Sequence, residues 1–154
     1  MRKAFAGLAI LLMLVVVAEF FFAASGGFST APRAESYRPH HVLGYVIFLL
    51  PVLMAIVAAL ARMPGRLIGL AALVAGLTSI QVLIAKLATA ISDTGDDPGD
   101  GTLGPLIFGL HAVSGLAIPA VAWMIVRAAL ALNRGGENSS HVAEDVESSF
   151  HKRR

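Results

Sequence analysis

The chain of 154 residues contains no cysteine and few charged side chains. Without cysteine it can form no disulfide, no thiolate metal site and no covalent c-type haem attachment. Charged residues make up 14% of the sequence, whereas soluble proteins carry roughly 25%. The hydrophobic fraction is 56% and the mean hydropathy is +0.76. This composition excludes an ordinary soluble domain.

Four long apolar runs dominate the sequence, over about residues 4–24, 42–61, 67–91 and 105–132. Each run reaches the ~20 residues that a helix needs to cross a hydrocarbon core of ~30 Å. We therefore predict an all-α protein whose partner is the lipid bilayer, an up-down-up-down four-helix transmembrane bundle over residues 1–134. The predicted helices cover about 3–24, 39–61, 67–91 and 105–132. The polar remainder, residues 135–154, is expected to be a disordered cytoplasmic tail.

The positive charges divide unequally between the two ends of such a bundle. Only Arg33 and Arg38 fall in the loops at one end, with Lys86 near it. The other end carries Arg2, Lys3, Arg62, Arg66, Arg127, Arg134, Lys152, Arg153 and Arg154. This asymmetry predicts a multi-pass protein of the cell membrane with both termini cytoplasmic. It also accounts for the net charge of +2, so no nucleic-acid partner is expected.

The sequence contains an internal repeat of two helical hairpins. Gly7-Leu-Ala is followed twelve positions later by Glu19, and Gly69-Leu-Ala is followed at the same spacing by Gln81. The next apolar runs begin with His-x-x-x-Gly, at residues 40–44 and 111–115. The hairpins enter from the same side and are predicted to be parallel repeats. Because the third run cannot be a signal peptide, its likeness to the first favours a retained first helix over a cleaved signal.

The repeat places two histidines, His40 and His111, in equivalent positions. A histidine and a glycine four residues later lie on one face of a helix, so the imidazole stands beside a gap in the side chains. Two such helices facing each other, with Gly44 and Gly115 making room, could hold a bis-histidine b-type haem. Arg38 lies at a similar depth and could pair with a propionate.

Several alternatives remain open for these residues. His41 could be the ligand instead of His40, or both histidines of the pair could simply be polar helix ends in the membrane interface. Lys86 could pair with a propionate or place its ammonium among the outer headgroups. If Arg127 rather than Arg134 marks the inner boundary, the two histidines differ by ~10 Å in depth.

Glu19 and Gln81 form a predicted intramembrane polar pair. At ~1.5 Å per residue both lie ~23 Å from the cytoplasmic anchors, and the histidines at ~33–35 Å lie one and a half to two turns further out. A lone charge in hydrocarbon is costly, so Glu19 should be protonated or bonded to Gln81. Interhelical hydrogen bonding is favoured over a proton or quinone-headgroup contact.

No Walker loop, catalytic triad or metalloprotease motif is present. The outer loop from Asp93 to Gly101 is acidic but lacks the spacing and the closing glutamate of a calcium loop. We predict a solvated acidic turn.

The segments 2–9, 19–26, 40–47 and 109–116 resemble an uncharacterised family of small four-helix bacterial integral membrane proteins. The resemblance covers roughly residues 2–132 and supports the helix count without implying an activity. Paired histidines on four helices are more loosely similar to membrane b-type cytochromes and to haem A synthase. Those families usually carry more than one histidine pair, which leaves room here for one haem at most.

The sequence therefore gives two functional hypotheses. The first is a carrier of one haem b for electron transfer, with His40 and His111 as axial iron ligands, no catalysis beyond electron transfer, and a quinone or a redox protein as partner. The second is a cofactor-free accessory or stabilising subunit of a larger complex. Either could be a homo-oligomer.

Overall fold

A computed structural model describes the backbone of residues 1–93 and 103–151, and the side chains of residues 1–91, 103–136 and Ser149. The predicted acidic turn falls largely in residues 94–102, outside the described residues. The helices are α1 (Arg2–Gly27), α2 (Arg33–Ser36), α3 (Arg38–Leu60), α4 (Gly65–Asp93), α5 (Leu103–Gly115) and α6 (Ala117–His151).

Four helical spans are long and apolar enough to cross a bilayer: α1, α3, α4 and the combined α5–α6. Contacts join α1 to α3, α3 to α4, α4 to α5 and α6, and α6 back to α1. Within the described residues α1 makes no close backbone contact with α4, and α3 makes none with α5 or α6. The spans therefore form a ring in chain order with two diagonal pairs, which confirms the predicted fold class.

The bundle buries small and apolar side chains and exposes large apolar ones. Its centre includes alanines that let helices approach closely, and its largest fully buried side chains are Phe5, Leu12, Met54, Leu67 and Ile125. Leucine, valine and phenylalanine side chains cover the outside, and only 28% to 33% of an apolar 18-residue stretch of each span is buried. An exposed apolar surface of this extent requires lipid rather than water around it.

The fourth span is broken, although the sequence predicted one helix over residues 105–132. α5 ends at Gly115 and α6 begins at Ala117. The cause is Pro119, which has no N–H to donate to the carbonyl of Gly115 and whose ring crowds that carbonyl. By contrast, Pro51 lies inside α3 without interrupting it.

The helical backbone of α6 continues past residue 132 to His151. The sequence prediction ended near residue 132 because it followed the apolar run. Hydropathy does not detect a polar continuation of the same helix. The predicted disorder of residues 135–154 stays a prediction.

The turn between α3 and α4 fixes how the two hairpins join. The N–H of Met63 donates to the carbonyl of Ala58, and the N–H of Arg62 donates to that of Ala59. This is a Schellman helix end, and it places Arg62 in the left-handed region at φ 50°.

Gly26, near the end of α1, lies against the link between α2 and α3. A Cβ there would lie 3.0 Å from the carbonyl oxygen of Ser36 and 3.1 Å from the ring of Tyr37. We expect Gly26→Ala to destabilise the protein by about 1–3 kcal/mol, since backbone must move to accept it. The free energy of unfolding in mixed detergent micelles measures this destabilisation. Gly7→Ala is the matched control in α1, because no atom lies within 4 Å of its Cβ position. Equal stability of the two variants would show that the approach is not tight.

Candidate functional site

One polar side chain from each of the four spans meets its neighbours at the end of the bundle that contains α2. We call Glu19 (α1), His40 (α3), Gln81 (α4) and His111 (α5) the polar layer. Gln81 and Thr78 are the only buried polar side chains in the described part of the chain, at 7% and 6% exposed. Thr78 donates its hydroxyl to the carbonyl of Val74 at 2.8 Å within its own helix, so the polar layer holds the groups that reach between helices.

In the first hairpin, Glu19 faces the beginning of α3. Its Oε1 lies 3.0 Å from Nδ1 of His40, and the side chains are 14% and 21% exposed, respectively. The distance is that of an ion pair, but Nδ1 lacks an aligned hydrogen bond, and Oε2 has no partner among the described residues. A Cβ added at Gly44 would lie 3.7 Å from Oε1. Glu19 therefore packs into the space that the glycine leaves open.

The second hairpin repeats this arrangement with different hydrogen bonds. The side chain of Gln81 lies 3.9 Å to 4.0 Å from the Cβ position of Gly115, as Glu19 lies beside Gly44. Its amide nitrogen donates to the hydroxyl of Ser114 at 2.9 Å. With the amide turned over, its oxygen accepts from the N–H of Gly115 at 2.9 Å instead. In either orientation Gln81 is bonded to the last turn of α5.

His111 is held by main chain rather than by a carboxylate. Its Nδ1 lies 3.0 Å from the carbonyl oxygen of Gln81. In the tautomer that carries its proton on Nδ1, this nitrogen donates to the carbonyl oxygen, which can only accept. The neutral imidazole then has its lone pair on Nε2.

The two imidazoles meet between the diagonal helices α3 and α5. Their ring centroids are 6.3 Å apart and their planes are inclined at 70°. Phe108 stacks on His111 at 5.4 Å, and Tyr37 approaches His40 edge-on at 6.1 Å. The guanidinium of Arg33 lies 5.9 Å from the centroid of Phe108. Aromatic rings thus flank the histidine pair.

The structure corrects the predicted bond between Glu19 and Gln81. These residues belong to α1 and α4, which are diagonal, and each side chain turns instead to the other helix of its own hairpin. Glu19 also meets His40 directly, although their predicted depths differed by one and a half to two turns. A glutamate side chain is long enough to cover part of that separation, which an estimate along the helix axis omits.

The remaining predicted residues occupy the periphery of the polar layer. Arg38 is the first residue of α3 and is exposed, as is Lys86 on α4. His41 is also exposed, and its ring lies 5.8 Å from that of His40. Of the two adjacent histidines, His40 is therefore the one that faces the polar layer.

Three participants, Tyr37, Phe108 and Ser114, were not predicted from the sequence. Phe108 and Ser114 lie three residues before and after His111, so helical spacing places them beside it. That spacing was the available signal. Tyr37 lies at the same spacing before His40, as the residue that caps the start of α3.

These features define a small all-helical protein with four membrane-length spans and a polar layer at one end. The model of a family of unknown function (DUF6220) matches residues 19–90. The matched range begins at Glu19, includes His40 and Gln81, and ends before α5. No curated protein matches the chain, and no solved structure does.

Proposed function

We propose that the chain is a membrane electron carrier that binds one b-type haem between His40 and His111. The supporting observation is the placement of two imidazoles from diagonal helices with ring centroids 6.3 Å apart. Bonds from a metal to imidazole nitrogen are ~2 Å long, so two imidazoles on one ion have centroids at roughly this separation.

The orientation of the rings supports the same proposal. Each Nδ1 faces an oxygen, the carboxylate of Glu19 or the carbonyl of Gln81. Such partners fix the ring and leave Nε2 for a metal. Neither Nε2 has a hydrogen-bond partner among the described residues.

The donor set also distinguishes between a bare metal ion and haem. In the described residues no group of three or more His, Asp or Glu side chains could surround an ion, whereas a protein-only site needs about four ligands. A porphyrin brings its own equatorial nitrogens and needs only axial ligands, which two histidines provide. When bound this way, haem exchanges single electrons and offers no open position for oxygen.

Side chains cover Gly44 and Gly115, so haem could use these glycine surfaces only after the side chains move. The side chains of Glu19 and Gln81 lie over them. Both side chains are flexible and can rotate away, whereas a leucine at either glycine could not. Oε1 of Glu19 lies beside both Gly44 and Nδ1 of His40, so the carboxylate would have to leave the glycine while keeping its contact with the ring. The ring of His111 is held by the main-chain carbonyl of Gln81, whatever the side chain of Gln81 does.

The absorption spectrum of the protein tests the proposal. Protein expressed with ample haem and purified in mild detergent should show a Soret band and the split visible bands of a reduced six-coordinate low-spin haem, at about one haem per chain. A colourless protein that takes up no added haemin would contradict it.

A second candidate is the cofactor-free accessory subunit. The observation that favours it is the packing of Glu19 and Gln81 against the glycines, which closes the polar layer without a ligand. Under this alternative the histidines contribute only to helix packing, and the colourless result is the expected one. A quinone or a redox protein as partner belongs to the haem proposal alone.

We propose the cell membrane as the location, with both termini cytoplasmic. Arg62 and Arg66 bracket the turn between α3 and α4, at the end of the bundle where the chain begins. Reporter fusions at Arg134 should be active in the cytoplasm, and fusions at Ser29 should be active outside. The reverse pattern would contradict the charge argument.

A further inference from the structure

A cavity of about 660 Å³ opens between helices at the end of the bundle opposite the polar layer. Its volume lies within the ~300–1,000 Å³ typical of small-molecule sites. The starts of α1 and α4 line it together with α6. The lining residues include Arg2, Arg66, Leu67, Leu132, Gly135 and Gly136.

We propose that this cavity binds the headgroup of an anionic phospholipid. Two arginines line it, and no carboxylate among the described side chains lies within ion-pair distance of either. Arginine pairs with phosphate oxygens through two parallel hydrogen bonds. Basic pockets between membrane helices bind anionic headgroups on this principle.

The depth of the cavity favours a lipid over a soluble anion. Two membrane-length spans begin at its walls, near Arg2 and near Arg66, and the apolar run of the fourth span ends there at about residue 132. The cavity thus opens at headgroup level. Ala131 and Leu132 give it an accessible apolar side that an acyl chain can cover, whereas a free phosphate ion gains nothing from them.

The glycines on α6 keep the cavity open. A Cβ at Gly136 would lie 3.4 Å from Nη1 of Arg2, and a Cβ at Gly135 would meet no atom of the described residues within 4 Å. A larger side chain at Gly135 would therefore enter open space and narrow the cavity without removing either arginine.

Lipid titration of the detergent-solubilised protein tests the proposal. The probes are phosphatidylglycerol, phosphatidylcholine and glycerol phosphate, with bound lipid counted by native mass spectrometry and unfolding temperature recorded in parallel. We expect saturable binding of phosphatidylglycerol that raises the unfolding temperature, and neither effect with phosphatidylcholine. Stabilisation by glycerol phosphate as strong as by phosphatidylglycerol would overturn the lipid assignment and leave a soluble anion as ligand.

Charge variants distinguish specific binding in the cavity from general attraction of anionic lipid to a basic surface. Each arginine near an anionic surface changes affinity about fivefold, so Arg2→Gln combined with Arg66→Gln should weaken binding roughly thirtyfold. Arg134→Gln is the matched control, because Arg134 is an exposed arginine on α6 that does not line the cavity. Equal weakening by Arg134→Gln and by Arg2→Gln alone would overturn the proposal in favour of general surface attraction.

Gly135→Leu keeps the proposal testable if the double variant does not fold. It retains every charge and should abolish the phosphatidylglycerol-dependent rise in unfolding temperature. Undiminished binding by this variant would contradict a site inside the cavity.

Discussion

Replacing either His40 or His111 by alanine is expected to abolish the six-coordinate low-spin haem spectrum of the purified protein. The imidazoles come from different helices and meet between them, so each variant would remove one of two bonds to the same iron. A single remaining ligand leaves iron five-coordinate or bound to water, which changes the spin state. The double variant should bind no haem.

His41→Ala is the matched control for the histidine variants. It removes an imidazole adjacent in sequence, but its ring is exposed and projects ~100° around the helix from His40. Its spectrum should equal that of the original protein. If His41→Ala removes the low-spin spectrum and His40→Ala does not, the iron ligand is His41 and the described register of α3 is contradicted.

Leucine at Gly44 or Gly115 provides an independent check that keeps both ligands. Either substitution fills the surface now covered by Glu19 or Gln81, so haem content should fall to near zero. Alanine at Gly44 places its Cβ at an ordinary 3.7 Å contact and should retain haem. Full haem loading of the leucine variants would place the haem elsewhere.

The sequence predicted the bundle because the bundle depends on long apolar runs, and these extend over most of the chain. Four apolar runs of membrane length leave few arrangements, and the short turn at Pro64 and Gly65 makes α3 and α4 neighbours. The break between α5 and α6 was not predicted, because a proline in a membrane helix can either bend it or end it. Pro51 and Pro119 illustrate the two outcomes.

The sequence singled out the four residues of the polar layer, but it predicted the two histidines one and a half to two turns further out than Glu19 and Gln81. The repeat identified Glu19, His40, Gln81 and His111 as equivalent pairs, and all four lie in one layer. Which side chains pair depends on which helices are adjacent. Because a ring in chain order makes α1 and α4 diagonal, the expected bond between Glu19 and Gln81 gave way to one contact within each hairpin.

Glu19→Leu is expected to destabilise the protein more than the equivalent change Gln81→Leu. Leucine at 19 removes the carboxylate at 3.0 Å from Nδ1 of His40, and an inward-facing imidazole that loses its partner is costly. Leucine at 81 removes the amide's hydrogen bonds to the last turn of α5 but not the contact that holds His111, because Nδ1 of His111 faces the main-chain carbonyl of Gln81. Unfolding in mixed micelles should give losses of about 2 and about 1 kcal/mol, respectively.

Glu19→Gln completes the comparison by keeping the shape and removing the charge. An amide oxygen can occupy the position of the carboxylate oxygen opposite Nδ1 of His40, so stability should fall by less than about 1 kcal/mol. Oε2 of Glu19 has no partner among the described residues, so the substitution breaks no second bond there. Equal losses for Glu19→Leu and Gln81→Leu would mean that the carboxylate only fills space beside Gly44. A loss for Glu19→Gln as large as for Glu19→Leu would assign the whole effect to the negative charge opposite His40.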